Sequence, residues 1–289
     1  MLLENNPPIV YTPTTLSELL TIYKKNPHAL IFAGGTWILS QQIGKTVKLG
    51  RAVIHISNIL ELSKITRSER FIDFGACATL ESILKINTKI IPPILYMAIK
   101  SIATPQIRNR ATIGGHLAVR SNRMSLFPVL TILDAKIELR KMGQSRWVDA
   151  RRFANNENSL ALGTDEIITR IRVPIEEHSF QIFKDISTPL SNNEDYVSIS
   201  TLIKFSKENI LESKIIIMFG RYFHFRPIQT ENNINGKKIP FSEKEVAQIR
   251  ETFFKEYTNS NKKNPPILEQ RIVRIFNWLI DELSKFSEK

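Results

Sequence analysis

A single cysteine, Cys77, is all the thiol this 289-residue chain carries. That excludes an internal disulfide and an iron–sulfur cluster held by cysteines of this chain alone. No apolar run reaches the ~20 residues that a membrane-spanning helix needs, so no membrane insertion is expected. The opening MLLENNPPIVYTP sets an acid and a proline pair where a secretory leader has a basic start and an apolar core, and a cytoplasmic location is expected. Histidine is scarce, and His28, His55, His178 and His224 lack ligand-like spacing, so no metal site is expected. Acidic residues are outnumbered, 28 against 40 lysines and arginines, for a formal net charge of +12. The basic residues are dispersed, without a dense tract interleaved with aromatics, so nucleic acid is not the expected partner. An acidic protein partner or an anionic cofactor uses such a charge equally well.

What is present is a 42% hydrophobic content, enough for one large or two ordinary domains. TTLSELLTIYKK sets Leu16, Leu19, Leu20 and Tyr23 on one helical face, with Thr15 and Glu18 at capping-box spacing. HALIFAGG reads as a short buried strand stopped by glycine; RAVIHIS and FIDFGA read as strands. TLESILKI and the proline-opened PPILYMAIKSIA read as helices. FPVLTILDAKIELRK predicts a helix followed by a strand. IITRIRVP predicts a strand with Ile167, Thr169, Ile171 and Val173 alternating against Ile168, Arg170 and Arg172, closed by Pro174. Beyond it, YVSISTLIKFS and ESKIIIMFGRY predict an antiparallel pair. Two helices follow, the last with Leu268, Ile272, Ile275, Leu279 and Leu283 on one face. The change in character near Pro174 places a domain boundary, 1–175 and 176–289, with α+β structure on both sides.

Glycine is also scarce, 11 in all, which makes two Gly-Gly pairs informative. A phosphate needs backbone N–H groups pointed at it and no Cβ in the way. AGGT (Ala33 to Thr36) offers this with the Thr36 hydroxyl added, and ATIGGH (Ala111 to His116) offers it with Thr112 and His116. Neither is a P-loop or a Rossmann turn. Either pair alone is equally a tight turn; two pairs, each behind an apolar run, predict two loops that meet on one ligand.

With these segments the chain resembles the FAD-binding subunits of the molybdenum hydroxylases, such as the xanthine dehydrogenase and carbon monoxide dehydrogenase flavoproteins. The resemblance runs through Tyr11, Pro13, Leu16, Glu18, Ala33 to Thr36, Gln106 to Asn109 and Ala111 to Gly115. It continues through DEIITRIRVP (Asp165 to Pro174) and Arg226, Glu231 and Gly236 of RPIQTENNINGKKI. It implies an α+β fold: an N-terminal FAD-binding (PCMH-type) domain of two α/β subdomains, then a C-terminal antiparallel sheet with helices. It also implies FAD held by Ile31, Phe32, Ala33, Gly34, Gly35, Thr36, Trp37 and Ile38 of the first loop, and by Thr112, Ile113, Gly114, Gly115 and His116 of the second. By the same resemblance Ile102, Thr169 and Lys184 lie near the flavin ring, with the Lys184 cation favouring negative charge on reduced flavin.

The implied function is electron transfer. A molybdenum-cofactor large subunit oxidises substrate, a 2Fe–2S small subunit relays electrons, and FAD in this subunit delivers them to NAD or another acceptor. No acid–base or nucleophilic side chain is nominated, and Asp165 and Glu166 read as solvated charges at a strand start. Three segments depart from the family pattern. His116 stands for an asparagine and Ser125 for an aspartate that contacts the ribityl chain, in SNRMSLFP, where Asn122 also replaces a proline. An arginine is missing after Lys184 in FKDISTPLSNN. A protonated His116 would reach a phosphate more strongly, whereas Ser125 is shorter and uncharged. The alternative is a relative that has lost FAD and serves as a scaffold subunit.

Overall fold

The computed structural model describes residues 7–41, 49–119, 125–154, 159–186, 195–220, 223–260 and 264–286. Residues 1–6 of the opening stretch, Ser121, Asn122 and residues 187–194 of the stretch after Lys184 fall outside the described residues.

Three sheets follow one another along the chain. The first subdomain holds β1 (Ile9–Tyr11), α1 (Leu16–Lys25), β2 (Leu30–Phe32), α2 (Thr36–Ser40) and β3 (Ala52–His55), its strands parallel in the order β1-β3-β2. Thr15 caps α1 through the Glu18 N–H as its spacing predicts, but the Glu18 carboxylate accepts from Thr14 N–H at 2.9 Å instead of from the cap residue. Strand β2 is half-buried instead of buried: it is an edge strand, flanked by β3 alone.

The second subdomain runs through α3 (Leu60–Ser63), β4 (Ile65–Arg67), β5 (Phe71–Gly75), α4 (Leu80–Leu84), α5 (Pro93–Ser101), α6 (Pro105–Arg108), α7 (Ile113–Ala118) and α8 (Leu126–Ile132). It closes with β6 (Lys136–Lys141), β7 (Gln144–Asp149), α9 (Ala150–Phe153) and β8 (Ile167–Pro174). Its five strands are antiparallel in the order β4-β5-β8-β6-β7. The strict alternation expected along β8 fails at one place. Glu138 faces Arg170 but its successor Leu139 faces Ile168, so Thr169 is an extra, bulged residue. The bulge turns both Ile168 and Ile171 onto the core face, while Ile167 joins a separate small core under α1 together with Leu19, Ile54 and Cys77. Burial pushes the Cys77 thiol up to about 12, which leaves it an unreactive packing group at neutral pH.

The third unit comprises β9 (Phe180–Asp185), β10 (Val197–Ser206), β11 (Asn209–Phe219), β12 (Phe223–Phe225), α10 (Ile228–Ile234), α11 (Glu243–Asn259) and α12 (Pro266–Lys285). Its sheet is antiparallel, β12-β11-β10-β9, and the expected central pair registers from Val197 with Phe219 to Ser206 with Asn209. Strand periodicity separates two cores. Leu202, Ile216 and Met218 face the second subdomain, where α8 and α5 lie, whereas Ile199, Ile215 and Ile217 face α11 and α12. All five apolar residues expected on one face of α12 are buried. Among the described residues no helix is long and apolar enough to cross a membrane.

Helix α11 starts with a full capping box: Ser242 accepts from Glu245 N–H, and the Glu245 carboxylate accepts from Ser242 N–H at 2.9 Å. Ser242→Ala is expected to lower stability by ~1 kcal/mol in urea unfolding, with cofactor uptake unchanged.

Candidate functional site

The first glycine loop joins β2 to α2. Ser57 Oγ donates to Ala33 O at 3.0 Å and Ile56 N–H to Phe32 O at 3.0 Å, which ties the end of β2 to the end of β3. Gly35, the residue before α2, has φ +73, and an added methyl there would stand 2.3 Å from the Phe32 ring. Only glycine takes that backbone without strain. Among the described residues, the N–H groups of Gly34, Gly35 and Thr36 have no protein acceptor, and Gly35 is buried. Buried amides without partners are rare. These three, next to a threonine hydroxyl, fit a bound oxyanion such as a pyrophosphate.

The second loop behaves differently from the expectation that its amides also face a ligand. Thr112 caps α7 by accepting from Gly115 N–H at 3.1 Å; Ile113 N–H bonds Ala78 O at 3.0 Å and Gly114 N–H bonds Ala76 O at 2.8 Å. A short capped helix here consumes the donors that an open turn would have left over. The two loops do meet. A methyl at Gly34 would stand 1.7 Å from the Arg110 carbonyl oxygen, so the first loop's backbone lies directly against the residue that opens the second. The second loop thus acts as a wall for the first.

Two of the departures from the family pattern, His116 and Ser125, face each other. Ser125 Oγ lies 3.5 Å from His116 Nε2, and Leu126 N–H donates to the same nitrogen at 3.5 Å. Burial pushes the His116 imidazole down to about 4. The ring is therefore neutral at physiological pH, its Nε2 accepts, and the stronger phosphate contact that a protonated imidazole would make is not available to it.

Thr169 is buried at the β8 bulge, where its hydroxyl donates to Glu138 Oε2 at 2.8 Å. Burial alone would raise the Glu138 carboxyl, but hydrogen bonds from Arg140 and Thr169 and the nearby Arg140 and Arg170 charges hold it below the ordinary value. The Thr169 side chain is thus committed to the sheet. Glu166, expected to be solvated, is buried and forked onto Arg146 at 2.6 and 2.7 Å, and that bond together with Gly163 N–H holds its carboxyl low against burial. Asp165 is half-buried, its carboxylate 3.6 Å from the Lys141 ammonium.

Lys184 does not join the loops. It sits on β9 opposite Ile199, whose side chain faces α11 and α12, and its ammonium lies 5.5 Å from the centre of the Trp278 ring on α12. The alternation of β9 gives the face toward the second subdomain to its neighbour Phe183. Ile102 ends α5 half-buried against the second-subdomain core. Sequence reasoning included Arg108 in a matched motif without a role; in the structure its guanidinium gathers three carbonyls around Ile102.

The family model described as the FAD binding domain in molybdopterin dehydrogenase matches residues 4–176. Among curated proteins, the glyceraldehyde dehydrogenase medium chain of Sulfolobus acidocaldarius is 26% identical over 230 residues, 78% of this chain and 80% of that protein. The nicotinate dehydrogenase FAD-subunit of Eubacterium barkeri is 34% identical over 56% of each chain. The xanthine dehydrogenase FAD-binding subunit of Escherichia coli is 31% identical over 55% of each, so the match spans about half the length of these last two. In fold, the chain is similar to a chain of quinoline 2-oxidoreductase from Pseudomonas putida 86, with TM-score 0.81 and 19% identity over 98% of this chain and 99% of that one. It is also similar to a chain of carbon monoxide dehydrogenase from Hydrogenophaga pseudoflava, with TM-score 0.77 and 18% identity over 96% of both.

Proposed function

Because this chain belongs to the family of FAD-binding domains of molybdopterin dehydrogenases, we propose that it is the FAD-carrying electron-transfer subunit of a molybdenum hydroxylase assembled from separate subunits in the cytoplasm. The observation that carries the reading is the set of unpaired amides at Gly34, Gly35 and Thr36, walled by the second glycine loop at Arg110. Those amides and the Thr36 hydroxyl hold the pyrophosphate, within a first loop of Ile31 to Ile38. Gly115, His116 and Ser125 border the ribityl chain, with His116 as a neutral hydrogen-bonding group. Ile102 walls the flavin ring. Bound FAD supplies the redox chemistry, taking electrons one or two at a time; the protein's part is to bind it, orient it and shape its surroundings. Division of the chain near residue 175 into a flavin-binding unit and a C-terminal unit accompanies this reading.

The relatives are named as a medium chain, an FAD-subunit and an FAD-binding subunit, which supports partners that carry the remaining redox centres. With one cysteine, this chain leaves the iron–sulfur clusters to a 2Fe–2S small subunit, and substrate oxidation to a molybdenum-cofactor large subunit. The flavin then passes its electrons to NAD or another acceptor, and NAD is the one tested. The test uses FAD-loaded protein mixed anaerobically with its reduced 2Fe–2S partner, following the flavin absorbance. Bleaching of the flavin bands that then recovers on addition of NAD is the expected result. A flavin that stays oxidised beside a reduced cluster would remove the electron-transfer role.

A further inference from the structure

Arg108 is a buried cation in an unusual setting. It ends α6 only 7% exposed, and its Nη1 donates to three backbone carbonyls of one turn: Lys100 O at 3.3 Å, Ile102 O at 2.9 Å and Ala103 O at 2.9 Å. Its Nε donates to Glu81 Oε2 on α4 at 3.0 Å, which neutralises the charge. The turn it grips is strained: Ala103 has φ +47, a left-handed conformation disfavoured for any residue with a Cβ. Such strain persists only where surrounding contacts over-determine it, and it concentrates at ligand clamps. The carbonyls at the end of α5 would otherwise turn to water. A rigid planar fork is the one side chain that answers several of them at once while pairing with a carboxylate.

We propose that Arg108 is the positioning residue for the flavin-ring side of the site. By gathering the carbonyls of the turn 100–103 it fixes Ile102 as a rigid wall, and it acts on the ring half of FAD and not on the pyrophosphate half. The inference rests on the FAD reading above. The same helix α6 leads into Arg110, whose carbonyl abuts Gly34, but that contact is made by backbone that Arg108's guanidinium does not touch.

The two halves of the ligand separate the outcomes. FAD and ADP affinities are measured on the full chain for the wild type, Arg108→Met and Arg108→Lys. ADP carries the phosphates without the ring. Arg108→Met is expected to weaken FAD about tenfold, to leave ADP within about twofold, and to alter the visible circular dichroism of the flavin that remains bound. Arg108→Lys, which keeps the Glu81 pair but loses the fork, is expected to behave like the methionine variant; it carries the test if methionine prevents folding. Equal losses of FAD and ADP would reduce Arg108 to a merely structural residue, and unchanged FAD affinity with an unchanged dichroism spectrum would overturn the inference outright. If the wild type itself takes up ADP but not FAD, the flavoprotein reading fails and this inference falls with it. If the wild type loads and the variants load equally, only the inference falls.

Discussion

Gly34→Ala is expected to weaken FAD binding about a hundredfold. The new methyl has nowhere to go: it would stand 1.7 Å from the Arg110 carbonyl oxygen and 2.6 Å from its carbon, both backbone atoms with no rotamer to yield. The loops must part by more than an ångström, which moves the unpaired amides of Gly34, Gly35 and Thr36 off the geometry of any single oxyanion. A hydrogen bond to a charged group is worth ~1.5–3 kcal/mol, so losing one or two costs about 3 kcal/mol, a hundredfold in affinity. Overpacking lowers fold stability as well, by ~1–3 kcal/mol. Gly143→Ala separates strain from site geometry. Gly143 also has positive φ, +76, in the β6–β7 hairpin, but a methyl there meets nothing within 4 Å. It is expected to cost ~1 kcal/mol of stability and nothing in FAD affinity. Titration of flavin fluorescence, with urea unfolding of the same samples, reads both quantities. Wild-type affinity in Gly34→Ala would show that the close approach of the loops is not what builds the cradle.

The second large effect is on stability against pH. His116 has an ordinary value near 6.5 when unfolded and about 4 in the folded protein, where burial disfavours the cation. Between those values the unfolded chain holds more protons than the folded one, so stability rises with pH. The contribution is complete above about pH 6.5, is lost as pH falls from there toward 4, and changes no further below. Between pH 7 and pH 5 it amounts to ~2 kcal/mol. His116→Asn cannot titrate and is expected to lose that part of the slope. Glu138 and Glu166, held low by their arginines, and His178, held low by burial, remain in both proteins, so the difference isolates His116. Urea unfolding at pH 7 and pH 5 measures it, and equal slopes for the two proteins would mean that His116 is not held neutral by its burial.

Much of the fold was legible because its signals are periodic. The 3.6-residue spacing of Leu268, Ile272, Ile275, Leu279 and Leu283 in α12 maps directly onto burial, and the long apolar runs of β10 and β11 form the buried antiparallel pair that they predict. The misses are places where one contact overrides local pattern. At Thr169 a single inserted residue reverses the faces of β8, and only its pairing with Glu138 across the sheet reveals it. Strand β12 and helix α10 are too short to produce a period. In the site, the meeting of two glycine loops followed from their chemistry, but their unequal roles did not. Whether a Gly-Gly amide is free depends on partners at Ala76 and Ala78, some thirty-five residues earlier in the chain. For Lys184 the resemblance supplies a place in a motif, while the face of β9 on which it stands is set by register with Ile199, which the sequence alone does not show.

Most direct is the absorption spectrum of the purified chain after incubation with FAD and removal of the excess. Flavin bands at close to one FAD per chain are the result this account predicts, with the His116–Ser125 pair as a tolerated variation of the cradle. A folded protein that stays colourless, alone and together with the proposed partner subunits, would contradict it and leave a scaffold that has kept the fold without the cofactor.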